Sequence, residues 1–280
     1  MNKHLRRFIP SNLRLQMMLK RLYYLPQDTL NTLLGKRDPL IPPRGIIFTG
    51  SGDFREIGNR FLQHFIQLAN LEPYHSVLDV GCGLGRMAVP LTGYLSDTGS
   101  YQGFDIVPSG IDWCKRAVAS RYANFTFQLA DIRNDTYNPG GHYRASDYTF
   151  PYPDDHFDFT LLTSIFTHML PNDFENYLSE ISRTLKPGGK CIITYCLITP
   201  DIIPGIREGK TQPSFSHDLG EYWTTDPDHP EAAVAYQESY IRSQYIQYDL
   251  KIEDPVHYGS WSGREEHLDY QDIVVAVKQN

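Results

Sequence analysis

The chain has 280 residues, 41% of them apolar and 21% charged, which is enough for a sizeable core in one α/β domain with additions. Its 33 acids outnumber 26 lysines and arginines, and the net charge of −7 speaks against a nucleic-acid surface spread over the domain. No apolar run reaches the ~20 residues that cross a bilayer, and the N-terminus lacks the apolar stretch and cleavage site of a secretory signal.

Residues 1–24 carry Lys3, Arg6, Arg7, Arg14, Lys20 and Arg21 and no acid, with Leu5, Phe8, Ile9, Leu13, Met17, Leu19 and Leu22 interleaved. Pro10 interrupts any continuous helix there. Two readings stay open: a short basic amphipathic helix resting weakly on an anionic membrane surface, or an arm packed on its own domain with its charges solvated. Arg37–Gly45 is proline-rich and is expected to be an extended connector. It separates an arm over 1–45 from a main domain over 46–280. Phe48–Phe54 is a glycine-bearing loop, and a helix over Arg55–Leu71 follows, with Ile57, Phe61, Leu62, Phe65 and Leu68 on one face. Asp53 suits its N-cap.

Val77-Leu78-Asp79-Val80-Gly81-Cys82-Gly83-Leu84-Gly85-Arg86 is the most informative run in the chain. It reads as a buried strand closing on an acid, a turn without side chains, and a helix start. Glycines here let a ligand lie against bare backbone, because no Cβ blocks its approach. Helices are expected over Met87–Leu95 and Ser109–Tyr122, and strands over Ser76–Val80, Ser100–Phe104 and Phe125–Leu129. Asp105 and Asp131 close the second and third strand segments. Arg133–Phe150 is a long polar connection, of a length that is usually functional or disordered. A fourth strand is expected over Phe157–Thr163 and a helix from Pro171 to about Thr184, burying Phe174, Tyr177, Leu178, Ile181 and Leu185. The turn Leu185-Lys186-Pro187-Gly188-Gly189-Lys190 leads into a fifth strand over Lys190–Cys196. Thr199–Gly263 is an insertion rich in aromatics and histidine, with a helix expected over Pro230–Tyr245. The region Gln247–Glu253 and Asp272–Lys278 supply the last strands. Cys82, Cys114, Cys191 and Cys196 form no C-x-x-C pair, and Cys191 and Cys196 fall on opposite faces of a strand. No shared metal or disulfide is expected, and the chain reads as reduced and cytoplasmic, peripheral at a membrane if the arm engages one.

The pattern D-x-G-x-G-x-G, the acid Asp105 twenty residues beyond Gly85, the acid Asp131 and the Pro-Gly-Gly turn occur in order between Val77 and Cys196. Together they resemble the class I S-adenosylmethionine-dependent methyltransferases. The resemblance implies a seven-stranded, doubly wound, mostly parallel sheet whose last strand is antiparallel. It implies S-adenosylmethionine as cofactor, lying over Gly81, Cys82, Gly83, Gly85 and Arg86. Asp79 would then stand near the methionine amino group, Asp105 and Ile106 at the ribose, Asp131 and Ile132 at the adenine, and Thr163 at the end of the fourth strand. The loop Phe48–Phe54 would close over the methionine end, unless it is a plain turn and cap. A dinucleotide-dependent oxidoreductase shares an acid after the second strand, but the glycine spacing and the Pro-Gly-Gly turn weigh against it. A non-catalytic subunit that binds the cofactor would not need all three glycines and all three acids.

Methyl transfer needs acceptor and methyl held in line with water excluded, and a hydroxyl acceptor also needs a base. His168, after the fourth strand, is the first candidate base, and His257 the second. Either could instead be structural. The stretch Thr163-Ser164-Ile165-Phe166 lacks the Asn/Asp-Pro-Pro-Tyr/Phe pattern of amino-methylating DNA enzymes, and no Pro-Cys stands there to attack a pyrimidine. Asp154 and Asp155 read as a solvated turn and not as metal ligands. A small-molecule acceptor is therefore expected, a sugar, a lipid-linked intermediate or a secondary metabolite, with oxygen before nitrogen or a carboxyl group. Its pocket would be walled by Phe166, His217, Tyr222, Trp223, Tyr258, Trp261 and Arg264, part of which could equally be core.

Overall fold

The computed structural model describes residues 13–279 apart from Thr49, Ser51 and Thr136, with side chains from Met18 onward. The basic side chains expected at Lys3, Arg6, Arg7 and Arg14 lie outside what it describes. Two helices come first, α1 (Leu13–Leu33) and α2 (Phe54–Ala69). A β/α alternation follows: β1 (Ser76–Val80), α3 (Ala88–Leu91), β2 (Ser100–Asp105), α4 (Pro108–Cys114), β3 (Phe125–Leu129), β4 (Phe157–Leu162), α5 (Pro171–Thr184) and β5 (Leu185–Tyr195). The insertion carries β6 (Leu197–Ile198), α6 (Ile203–Arg207), β7 (His217–Asp218), β8 (Tyr222–Thr224), β9 (Val234–Gln237) and α7 (Glu238–Gln247). Finally β10 (Leu250–Ile252) and β11 (Asp272–Lys278) return to the main sheet.

That sheet has seven strands in the order β10-β11-β5-β4-β1-β2-β3. Strands β1 to β5 pair in parallel, and β11 runs antiparallel to β5, as expected. Neighbouring residues of a strand face opposite sides, so each strand feeds two cores. Leu78, Val80, Phe104 and Leu162 join α5 through Phe174, Leu178 and Ile181 on one side. Val77, Phe159, Leu161 and Ile192 join Phe61 and Phe65 of α2 on the other. Each such buried side chain contributes about 1.5–3 kcal/mol. The four cysteines are free and buried.

Several elements depart from expectation. α1 continues through Pro26 to Leu33, although that proline removes one helical hydrogen bond. It packs against the connector: Lys20 Nζ donates to the Ile47 carbonyl at 2.6 Å, and the Asp28 carboxylate accepts from the Arg44 and Gly45 amides. The described part of the arm is therefore fastened to the connector. The helix expected over Met87–Leu95 is reduced to α3, because tight turns occupy the residues on either side of it. The helix expected over Pro230–Tyr245 is a 3-10 turn, then β9, then α7. β9 forms because Val234–Gln237 is the centre of a second sheet in the order β6-β9-β8-β7. This sheet grows from the carboxyl end of β5 through Cys196 and encloses Phe215, Trp223 and Trp261. Within the expected 199–263 insertion, β10 belongs to the main sheet.

The long connection is ordered by α5. Asn176 Nδ2 donates to the Ala145 and Tyr148 carbonyls, and Arg183 donates to those of Phe150 and Tyr152. Arg183 also pairs with Glu180 and Asp154, and Lys278 with Asp155, so both turn acids carry ion pairs.

Candidate functional site

The β1 turn is a bare-backbone bend. Gly81, Gly83 and Gly85 have φ of 82°, 55° and 78°, in the left-handed region that other residues adopt only under strain. Close approach adds to this at Gly81, where a Cβ would stand 2.4 Å from Ile165 Cδ1. Gly81 and Cys82 both donate to the Phe104 carbonyl, which locks the turn onto the end of β2.

Parallel pairing of β1 with β2 sets Asp79 beside Gly103, so Asp79 and Asp105 come to the same end of the sheet. Asp105 accepts from the Gly83 amide and the Val107 amide, each at 2.8 Å. Burial raises its pKa against those bonds. Asp79 is 1% exposed and accepts from the Tyr101 hydroxyl at 2.5 Å through Oδ2. Its Oδ1 is buried without a hydrogen-bond partner among the described residues. Burial lifts this carboxyl to about 7, with the Tyr101 bond lowering it and Asp105 raising it. A buried carboxylate oxygen with no donor fits a cationic ligand group.

Around the turn, Phe48 lies next to Gly110 and 6.3 Å from the Tyr137 ring. A Cβ on Gly50 would meet Arg86 at 2.6 Å, and the Arg86 guanidinium sits over the Phe54 ring. Asp53 caps α2 by accepting from the Arg55 and Glu56 amides. Asp53 thus caps α2, and Phe48 and Gly50 lie beside the glycine turn. Cys82 is buried with its thiol pushed well above its ordinary pKa, first by burial and then by Cys114. Ile106 is half-buried in the core beside Asp105, and Thr163 is half-buried after β4.

Asp131 follows β3 and is half exposed. His142, from the long connection, reaches back to it with Nδ1 at 2.6 Å from Oδ2. Ile132 is buried and bridges to Tyr143. The glycine turn, Asp79, Asp105, Asp131 and Ile132 therefore share the carboxyl ends of β1, β2 and β3, where open α/β sheets bind ligands.

Beyond β4 the chain turns at Ser164, with φ of 58°. Its amide donates to Thr194 Oγ1, and its hydroxyl donates to Gln271 Oε1. His168 is exposed and its Nδ1 lies 3.0 Å from the Glu231 carbonyl, so the ring joins this loop to the insertion. A donating Nδ1 leaves Nε2 as an acceptor. His257 is elsewhere. It bridges to Ile273 on the β10 side of β11, three strand spacings or about 14 Å from β4. Burial lowers its pKa, and His64 adds to this.

The acceptor walls expected from the sequence divide. Phe166 is fully buried against Phe174 and Tyr195, so it is core and not wall. Trp261 is 1% exposed and donates to Asp272, and Trp223 is 5% exposed in the second sheet, so both hold the insertion together. Arg264 lies over the Tyr258 ring and pairs with Asp201 and Thr199. Tyr258 donates to Glu238. Tyr222 is half-buried near Tyr236, and His217 is exposed on β7. Tyr101, His142 and Ile165 were missed in the sequence. Two surface clefts, around Arg183 and around Arg242, carry none of the expected site residues.

A family described as "Methyltransferase domain" matches residues 78–193. The chain is similar to a fatty-acid O-methyltransferase of Mycolicibacterium smegmatis, 29% identical over 55% of this chain and 48% of that protein. It is also similar to a phthiotriol/phenolphthiotriol dimycocerosates methyltransferase of Mycobacterium tuberculosis, 34% identical over 40% of this chain and 34% of that one. The chain thus spans half or less of the length of these curated relatives. A crystal structure of a SAM-dependent methyltransferase from Methanosarcina mazei superposes with a TM-score of 0.51 at 19% identity, over 76% of this chain and 96% of that one. At that identity the likeness establishes the fold.

Proposed function

The chain belongs to the class I S-adenosylmethionine-dependent methyltransferases, and on that premise we propose that it methylates an oxygen of a small apolar or lipid-linked acceptor. Bound S-adenosylmethionine supplies the electrophilic methyl and its leaving group. The residues of the chain bind, orient and exclude water. Asp79 would take the amino group on its unpartnered oxygen, Asp105 the ribose hydroxyls, and Asp131 with Ile132 the adenine. The observation that carries this reading is the buried Asp79 Oδ1 beside three left-handed glycines.

For the acceptor, support comes from the second sheet, which stands over the carboxyl end of β5, and from His168, which ties it to the loop after β4. His168 would take the acceptor proton through Nε2. A second reading, a carboxyl acceptor that needs no base, is favoured by the name of the relative from M. smegmatis. A nitrogen acceptor ranks below both. We place the protein in the cytoplasm with no nucleic-acid partner. Among the described residues no helix is long and apolar enough to cross a membrane.

The test is incubation of the full chain with methyl-labelled S-adenosylmethionine and a lipid and metabolite extract, followed by mass spectrometry. Label on an oxygen in the apolar fraction is the expected result. Tight S-adenosylhomocysteine binding with no labelled product would instead indicate a non-catalytic subunit. Binding of NAD without binding of the sulfur nucleoside would overturn the cofactor reading.

A further inference from the structure

α1 is amphipathic in the reverse of the usual sense. Lys20, Tyr24, Asp28 and Asn31, spaced by four, four and three residues, are its partly covered positions. Lys20 and Asp28 of this polar stripe hold the connector through Ile47, Arg44 and Gly45. The opposite side carries Met18, Leu19, Leu22, Tyr23, Leu30 and Leu33, which are 45–80% exposed. At 100° per residue these positions, with Pro26 and Thr29 among them, span one face of about 140° of the helix, and from Met18 to Leu33 it is roughly 22 Å long. A domain normally turns such a face inward. Here the polar stripe holds the connector, and the apolar face is left to something outside.

We propose that this face of α1 lies in the surface of an anionic lipid bilayer. Charge selects this occupant. Residues 1–27 contain Lys3, Arg6, Arg7, Arg14 and Arg21, besides Lys20, which the connector holds, and no acid, in a chain whose net charge is −7. A cationic segment carrying a broad apolar face, on an acidic protein, suits anionic headgroups over acyl chains. A helix–helix seam is narrower, two positions in seven. Tyr23, 63% exposed, has the apolar body and polar tip that suit the headgroup boundary. No described helix is long and apolar enough to cross a membrane, so the helix lies on the bilayer and does not span it. The arrangement would hold the glycine turn near the surface, since the α1 anchor at Ile47 is next in sequence to Phe48, which covers Gly110. Binding to lipid requires neither cofactor nor acceptor, so this inference stands or falls apart from the methyl-transfer reading.

The test is co-sedimentation of the full chain with vesicles of phosphatidylcholine alone and of phosphatidylcholine mixed with phosphatidylglycerol. The wild type should bind the anionic vesicles at least ~10-fold more tightly than the neutral ones and be released by raised salt. Leu22→Glu with Leu33→Glu, both at exposed positions, should lose that binding ~10-fold or more. The variant should keep the wild-type affinity for S-adenosylhomocysteine, which shows that the domain is folded. Salt release of the wild type is read without any variant. Absence of vesicle binding, equal binding to both compositions, or unchanged binding by the variant overturns the proposal. So does a wild-type dimer in sedimentation velocity that the variant dissociates, because a second copy would then cover the face.

Discussion

Asp79 allows the cofactor reading to be tested through protons. Burial holds its carboxyl at about 7, so near neutrality the free protein carries it about half protonated. Its Oδ1 has no donor until a cation arrives. If the amino group of the cofactor is that cation, the bound form needs Asp79 ionised, and the proton must leave on binding. Affinity should therefore rise with pH up to about 7 and level off above it. With a free-state value of about 7, the ionised fraction grows roughly 15-fold between about pH 5.5 and 7.0, equivalent to about 1.6 kcal/mol. Asp79→Asn removes the charge-assisted bond, which costs about 1.5–3 kcal/mol or roughly 10–150-fold in affinity. It should also flatten the pH profile. Calorimetric titration of both proteins with S-adenosylhomocysteine across this range is the assay. A wild-type affinity that is flat or improves toward acid refutes the reasoning. A variant that keeps the wild-type slope moves the titrating group to Asp105, which burial also raises.

Three further outcomes are expected. His168→Ala should lower turnover by ~10²-fold or more at unchanged S-adenosylhomocysteine affinity if Nε2 is the base. A fall below tenfold would leave the ring as a tie to Glu231 and strengthen the carboxyl-acceptor reading. Asp272 is raised to about 6, chiefly by burial, against bonds from Gly259, Leu197 and Trp261. Because the folded value is raised for an acid, the native state binds the extra proton between about pH 4 and 6. Its contribution to stability, about 3 kcal/mol, is thus lost as pH rises through that window. Melting curves of Asp272→Asn should lack this component of the wild-type slope, and an unchanged slope would show that the carboxyl does not titrate there. Gly81→Ala should abolish S-adenosylhomocysteine binding, since its Cβ would meet Ile165 at 2.4 Å in a left-handed backbone. Adding Ile165→Ala should restore part of it, leaving about 1–2 kcal/mol of backbone strain. No recovery in the double variant would mean that Ile165 is not what excludes the side chain.

What could be read in advance was whatever depends on local geometry. Glycines at alternate positions after an apolar run leave few options but a bare turn, and Asp105 stood out as the acid closing the next strand, its role implied by the resemblance. Asp79 was legible as an acid at a strand end. Its state was not, because the Tyr101 hydroxyl and the missing partner on Oδ1 come from pairing between strands. His142 was hidden for a similar reason: it reaches Asp131 only after the long connection folds back along α5. The second sheet escaped because strands of two to four residues are too short to show a period. Its tryptophans were read as pocket walls, although aromatic composition alone does not separate a wall from a core. α1 shows the opposite limit. Leu19 and Leu22 stood out in the sequence as part of an amphipathic stretch, but periodicity shows only that a helix has two faces. Which face meets the domain depended on Lys20 and Asp28 finding backbone partners at Ile47, Arg44 and Gly45. With the polar side fastened inward, the apolar side is what the protein presents to its surroundings, on the flank from which the connector runs to the glycine turn.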